Sequence, residues 1–204
     1  MYSIKNPEFL HIMDGEELCF GANQEWYRKY WQRLAGCGPT SATHLVHYLS
    51  AANGLSIFES RPRNKCDFLL EMEELWDYVT PTYRGVNSTV IFTGGVRRLS
   101  KDKGIDIGIN VLEIAMKKEE RIEKSVMDDF IVESLEADRP VAFLNLNNGE
   151  VENLDRWHWV TIVGYNPVTA EAEIYDQCKK YSIDLGLWHR TTILSGGFVS
   201  LFKK

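Results

Sequence analysis

The residues best suited to do chemistry stand in the run Leu34-Ala35-Gly36-Cys37-Gly38-Pro39-Thr40-Ser41-Ala42-Thr43. Glycines on either side of Cys37 free the backbone, and a proline just beyond suits the first turn of a helix, where its missing N–H has no intrahelical bond to lose. A thiol at such a helix start faces unpaired amides and the positive end of the helix dipole, which favour its anionic, nucleophilic form. The same amides, that of Cys37 included, can receive an oxygen that turns negative when a nucleophile adds to a carbonyl. The bland reading makes Cys37 a small buried apolar residue in a packing turn.

A thiolate nucleophile needs a base. The run Trp157-His158-Trp159-Val160-Thr161-Ile162-Val163-Gly164-Tyr165 reads as a strand with His158 at its head, a rigid mount for an imidazole. The next run ends in Ile174-Tyr175-Asp176. A three-residue turn at Asn166 to Val168 would set Tyr165 opposite Thr169 and His158 opposite Asp176, with Cβ atoms roughly 4.5–5.5 Å apart. So opposed, the carboxylate holds the imidazole tautomer and stabilises its cation. A four-residue turn would shift the partner to Tyr175 or Gln177 unless a bulge restored the register. Outside such an arrangement His158 is an ordinary histidine at the edge of a core and Asp176 a turn residue.

These groups have to be held by a scaffold, and its outline is readable. Cys37 to Leu49 runs helically into the stop at Ala51 to Gly54. Phe68, Leu69, Met72, Leu75, Trp76 and Val79 recur at helical spacing before Pro81, and Val126, Phe130, Ile131 and Leu135 do so before Pro140. A weaker helical signal lies around Val96 to Lys103. After Pro140 the pattern changes to short β-rich runs at Val141 to Leu146, Trp157 to Tyr165, Ala172 to Tyr175, Leu187 to Leu194 and Phe198 to Phe202, separated by turn residues. The expected fold is therefore α+β, one domain over 1–204, with a helical part at about 24–138 packed on an antiparallel sheet at about 140–204.

Composition narrows the partners. In 204 residues, 23 Lys and Arg stand against 29 Asp and Glu, a net charge of -6 that leaves no surplus to neutralise phosphates and argues against nucleic acid. No run is apolar enough for a membrane span, and the opening residues lack a secretion pattern, so a cytoplasmic location is expected. The four cysteines, Cys19, Cys37, Cys66 and Cys178, are scattered and read as reduced thiols. His44 and His47 have a spacing that can hold a metal, but no third ligand is visible and no metal or other cofactor is expected. His44 lies about 10 Å along the helix from Cys37, too far to be its base. The pair Gly94-Gly95 lacks the residues of a phosphate loop and reads as a helix start, and the mixed charges of Lys117 to Arg121 as a solvated helix face or loop.

The order Cys37, His158, Asp176, the string Cys-Gly-Pro-Thr-Ser at 37–41 and the histidine strand through Gly164-Tyr165 resemble the papain-like cysteine peptidases, in particular the bacterial branch of bacteriocin leader-processing peptidases. The cysteine signature of papain itself is absent. The resemblance implies a papain-like fold and a thiol hydrolase that cleaves peptide or amide bonds of a peptide or protein substrate. In that family a glutamine upstream of the cysteine donates to the oxyanion; here the candidates are Gln32, five residues before Cys37 and the better match to the short family spacing, and Gln24, 13 residues before. The same residues would serve a transamidase or deamidase, and the same scaffold could bind a peptide or partner protein without turning it over. Trp26, Tyr27, Tyr30, Trp31, Trp157 and Trp159 belong to the core or line a peptide groove.

Overall fold

The computed structural model describes residues 1–58 and 64–204. A short strand β1 (Tyr2–Ser3) precedes a hairpin of β2 (His11–Asp14) and β3 (Glu17–Phe20). Helices α1 (Tyr30–Ala35), α2 (Cys37–Asn53), α3 (Lys65–Tyr78) and α4 (Thr89–Lys103) follow. Then come β4 (Ile107–Ile114), α5 (Lys124–Glu136), β5 (Val141–Asn145), β6 (His158–Asn166), β7 (Glu171–Asp176), β8 (Lys179–Asp184), α6 (Leu185–Thr191) and β9 (Gly196–Lys203).

The helix ends follow local chemistry. Gly54, at φ 62°, closes α2 by turning its N–H back to the carbonyls of Ser50 and Ala51. Asn64 and Ser88 open α3 and α4 by accepting from the Asp67 and Ile91 amides. Gly94-Gly95, read as a helix start, lies inside α4. A Cβ on Gly95 would come within 2.6 Å of Val79 Cγ2, so the glycine serves close packing of α4 on the end of α3.

Six strands form an antiparallel sheet in the order β4-β9-β5-β6-β7-β8, and β1 pairs with β6 beyond the end of β5. The protein is thus α+β with a mostly antiparallel sheet, as its sequence pattern implies. Its helices, however, cover both faces of the sheet. Leu45, Val46, Leu75, Phe92 and Val96 of α2 to α4 pack on Leu144, Trp159 and Val199. Met127, Ile131 and Leu135 of α5, with Trp188 of α6, pack on Phe143, Val160 and Phe198 of the other face. Fully burying each such side chain is worth roughly 1.5–3 kcal/mol, which makes these two layers the main source of the fold's stability. Helix α2 lies between the sheet and α3, and every residue from Gly38 to Ser50 is buried.

Two expectations fail here for physical reasons. The run Leu187 to Leu194 has β-forming residues, yet it belongs to α6 and its exit: Asp184 caps the helix by accepting from the Leu187 N–H, and the turn delivers Trp188 edge-on against Phe143 at 4.6 Å. Conversely β4 lies inside the stretch read as helical, and pairs with β9 from Ile107↔Lys203 to Ile114↔Gly196. In the stretch read as a solvated helix face or loop, Lys117 to Glu120 are exposed, and at its end the Arg121 guanidinium donates to the carbonyls of Ala115, Met116, His189 and Thr192.

Candidate active site

Cys37 is the first residue of α2, separated from the end of α1 by Gly36 alone. Nothing larger fits there: a Cβ on Gly36 would meet Gln32 O at 2.4 Å and Tyr27 Cε2 at 2.7 Å, and one on Gly38 would meet Val86 Cβ at 2.6 Å. The glycines let the tip of α2 wedge between Tyr27 and Val86, which leaves the Cys37 thiol half-buried and free. The first backbone bond of the turn is Thr40 N–H to Gly36 O at 2.9 Å. The Cys37 and Gly38 amides therefore point out of the helix tip without an intrahelical acceptor.

His158 is the first residue of β6, and Trp157 before it turns the chain through a left-handed conformation at φ 59°. Its Nε2 is 2.8 Å from Asp176 Oδ1, which leaves Nδ1 as the ring nitrogen without that partner, and Cys37 lines the same small pocket as the imidazole. The other carboxylate oxygen, Oδ2, accepts from the Tyr181 hydroxyl at 2.9 Å. Burial works against a charged imidazole, but the hydrogen bonds to Asp176 and Cys37 and their negative charge outweigh it and push the His158 pKa up to about 10. Among the described residues, then, Cys37, His158 and Asp176 come together, and Tyr181 joins them unannounced by any spacing rule.

The strand register that was to oppose His158 and Asp176 is not the one found. The connection between β6 and β7 is longer, with Asn166 opposite Glu171, and a bulge at Val163 shifts the pairing so that Thr161 faces Tyr175. Continued by one residue, that register sets Asp176 opposite Val160. The side chains of His158 and Asp176 meet along the diagonal beyond the last ladder pair.

Of the two glutamines, Gln24 reaches the site. It shares a small pocket with Cys37, Ser41, His44, His158 and Asp176, and its Nε2 donates to Arg33 O at 2.7 Å. One of the two N–H bonds on that nitrogen is thereby used and the other is left. Its Oε1 is buried with no partner among the described residues. Gln32, the better match by spacing, is 7% exposed within α1, where its Oε1 accepts from the Lys29 amide at 3.2 Å. The short helix α1 folds the chain back and so brings the more distant glutamine in.

No family model and no curated protein matches this chain. On one side Cys37 borders a cavity of about 220 Å³ lined by Trp31, Leu34, Tyr83, Leu146 and Trp157. On the other, Asp176 and Tyr181 border an open depression of about 730 Å³ that carries Glu17, Glu152 and Asp155. The thiol and imidazole lie between an apolar and a polar recess.

The remaining candidates resolve differently. His47 Nδ1 pairs with Glu71 at 2.9 Å, while His44 bonds elsewhere, so the two do not converge on a metal. No group of three His, Cys, Asp or Glu among the described residues is arranged to hold one. Cys19 and Cys178, read as reduced thiols, form a disulfide across 159 positions of sequence, with Cα atoms 4.2 Å apart. The β7–β8 turn brings Cys178 back beside β3, a meeting that no local spacing announces; Cys37 and Cys66 are the free thiols. No helix among the described residues is long and apolar enough to cross a membrane.

Proposed function

We propose that the chain is a papain-like thiol hydrolase that cleaves peptide or amide bonds through Cys37, His158 and Asp176. The observation that carries the reading is a single imidazole bonded through Nε2 to a buried carboxylate at 2.8 Å, with the free thiol of a helix start lining the same small pocket. An imidazolium so held favours a thiolate beside it.

The sulfur anion of Cys37 attacks the carbonyl carbon, and the displaced electron pair moves to the carbonyl oxygen. The Cys37 amide and the remaining N–H of Gln24 receive that oxyanion. When the intermediate collapses, His158 gives its proton to the departing amine, and the acyl group stays on sulfur as a thioester. His158, now neutral, takes a proton from water as the water attacks the thioester carbonyl; collapse of this second intermediate expels the thiolate and releases the acid. Asp176, fixed by Tyr181, holds one tautomer and orientation of the ring throughout. A substrate lying across the pair has the recess of Trp31, Leu34 and Trp157 for an apolar side chain and the depression that carries Glu17, Glu152, Asp155, Lys179 and Lys180 for a polar one.

The test is labelling with a peptide-derived electrophile in the intact protein and in Cys37→Ala and His158→Ala. The reading expects labelling at Cys37 that both substitutions remove. Labelling that persists in His158→Ala at an unchanged rate refutes it.

A further inference from the structure

His44 is committed in three directions at once. It lies on α2, seven residues after Cys37 and 2% exposed. Its Nε2 accepts from the Ala22 amide at 2.7 Å, and its Nδ1 is 2.8 Å from the hydroxyl of Thr161, three residues after His158 on β6. Because Nε2 is the acceptor of a backbone N–H, the ring proton sits on Nδ1 and is donated to Thr161 Oγ1. Only this neutral form makes both bonds, and burial, first, with the neighbouring His47, holds the His44 pKa down at about 3 against the opposing pull of Asp176. The loop lies flat on the ring: a Cβ on Gly21, at φ 75°, would come within 2.9 Å of His44 Cε1 and 3.2 Å of Tyr175 Cβ. One imidazole thus joins the helix of Cys37, the strand of His158 and the loop that leads into Gln24.

Building on the hydrolase reading above, we infer that His44 is a positioning residue for the oxyanion donor, pinning the Gly21-Ala22 loop to the cysteine helix so that Gln24 is held beside Cys37. Gln24 is held by its own bond to Arg33 O at 2.7 Å, and the loop before it by Gly21 N–H to Leu10 O at 2.8 Å and by Ala22 N–H to His44, of which the last ties it to the cysteine helix. Removing the bond to His44 leaves the loop anchored to Leu10 but no longer to the cysteine helix, and leaves the bond between His158 and Asp176 in place. The effect is therefore specific to reactions that build negative charge on a carbonyl oxygen.

The experiment compares two reactions of Cys37 in a Cys66→Ser background. Acylation by p-nitrophenyl acetate passes through an oxyanion as the thiolate displaces p-nitrophenolate; alkylation by iodoacetamide displaces iodide at a saturated carbon and builds none. Gln24→Ala should slow acylation by about 10²-fold, the loss typical of one oxyanion donor. His44→Ala should slow it at least about tenfold while alkylation stays within about twofold, and the double variant should be no slower than the slower single one. His44→Gln, whose amide oxygen can accept from Ala22, should recover most of the rate. If His44→Ala does not fold, Thr161→Val, which unties Nδ1, should show the same selective slowing to a smaller degree.

Acylation unchanged in the folded His44→Ala protein, a multiplicative double variant, or acylation and alkylation falling together would overturn the inference. A Gln24→Ala protein acylated at the parent rate would also overturn it. A parent protein that is alkylated at Cys37 but never acylated removes the hydrolase reading itself, and this inference with it.

Discussion

The hydroxyl of Tyr181 donates to Asp176 Oδ2 at 2.9 Å, on the carboxylate oxygen that His158 does not use. Asp176 ends β7 and Tyr181 lies on β8, so the hairpin itself fixes how the carboxylate faces the imidazole. A hydrogen bond to a charged group contributes about 1.5–3 kcal/mol. Tyr181→Phe removes it without changing the ring. The expected outcome is a Cys37 acylation rate lower by about tenfold, which corresponds to about 1.4 kcal/mol of barrier, with the protein still folded. Stopped-flow acylation and circular dichroism check the two parts.

The pKa of His158 has a consequence for stability. Folded, the imidazole holds its proton up to about 10, against 6.5 for an ordinary histidine. The folded state therefore binds more protons than the unfolded one between these values, and stability falls as pH rises through them. Its contribution is complete below about 6.5 and gone above about 10. Urea titrations of the parent and His158→Gln proteins across this window should show their difference in stability narrowing as pH rises. A difference independent of pH contradicts the pairing.

The disulfide between Cys19 and Cys178 joins the β2–β3 hairpin to the turn that follows Asp176. A link across 159 positions restricts the unfolded chain strongly, by up to roughly 5 kcal/mol on the chain-entropy account. Cys19→Ser with Cys178→Ser should lower the urea midpoint accordingly, and a non-reducing peptide map of the parent should recover the two cysteines in one fragment. Recovery of both as free thiols contradicts the link.

His47 and Glu71 form a buried pair away from the pocket of Cys37, with side chains 9% and 6% exposed and the His47 ring stacked on Phe58. Leaving a buried hydrogen-bonding group without its partner costs about 1–3 kcal/mol. Glu71→Ala should therefore lower the unfolding free energy by that order, while iodoacetamide reacts with Cys37 at the parent rate in the folded protein. Calorimetry and alkylation kinetics separate the two effects.

What was legible in the sequence follows from how far each signal reaches. Helices α2, α3 and α5 were readable because capping residues and a helical repeat are local, as at Gly54 or in Phe68, Met72 and Leu75. That a histidine at the head of β6 would meet a carboxylate at the end of β7 was also in view. Their register was not, because one bulge at Val163 and a longer turn alter every pairing between Thr161 and Asn166. The choice of Gln24 over Gln32 depends on how α1 doubles back, and the meeting of Cys19 with Cys178 on contacts between distant parts of the chain. At Leu187 to Leu194 local β preference lost to the Asp184 cap and the burial of Trp188.

The central claim is that Cys37 reacts as a thiolate because His158 stands beside it. Cys66 supplies the internal control, since it is the more exposed of the two free thiols and lies on α3 away from the pocket. Treating the unreduced protein with less than one equivalent of iodoacetamide near pH 6 and mapping the adduct decides the matter. The account predicts label on Cys37 in preference to the more accessible Cys66, and loss of that preference in His158→Ala; label that follows exposure, with Cys66 modified first in the parent, contradicts it.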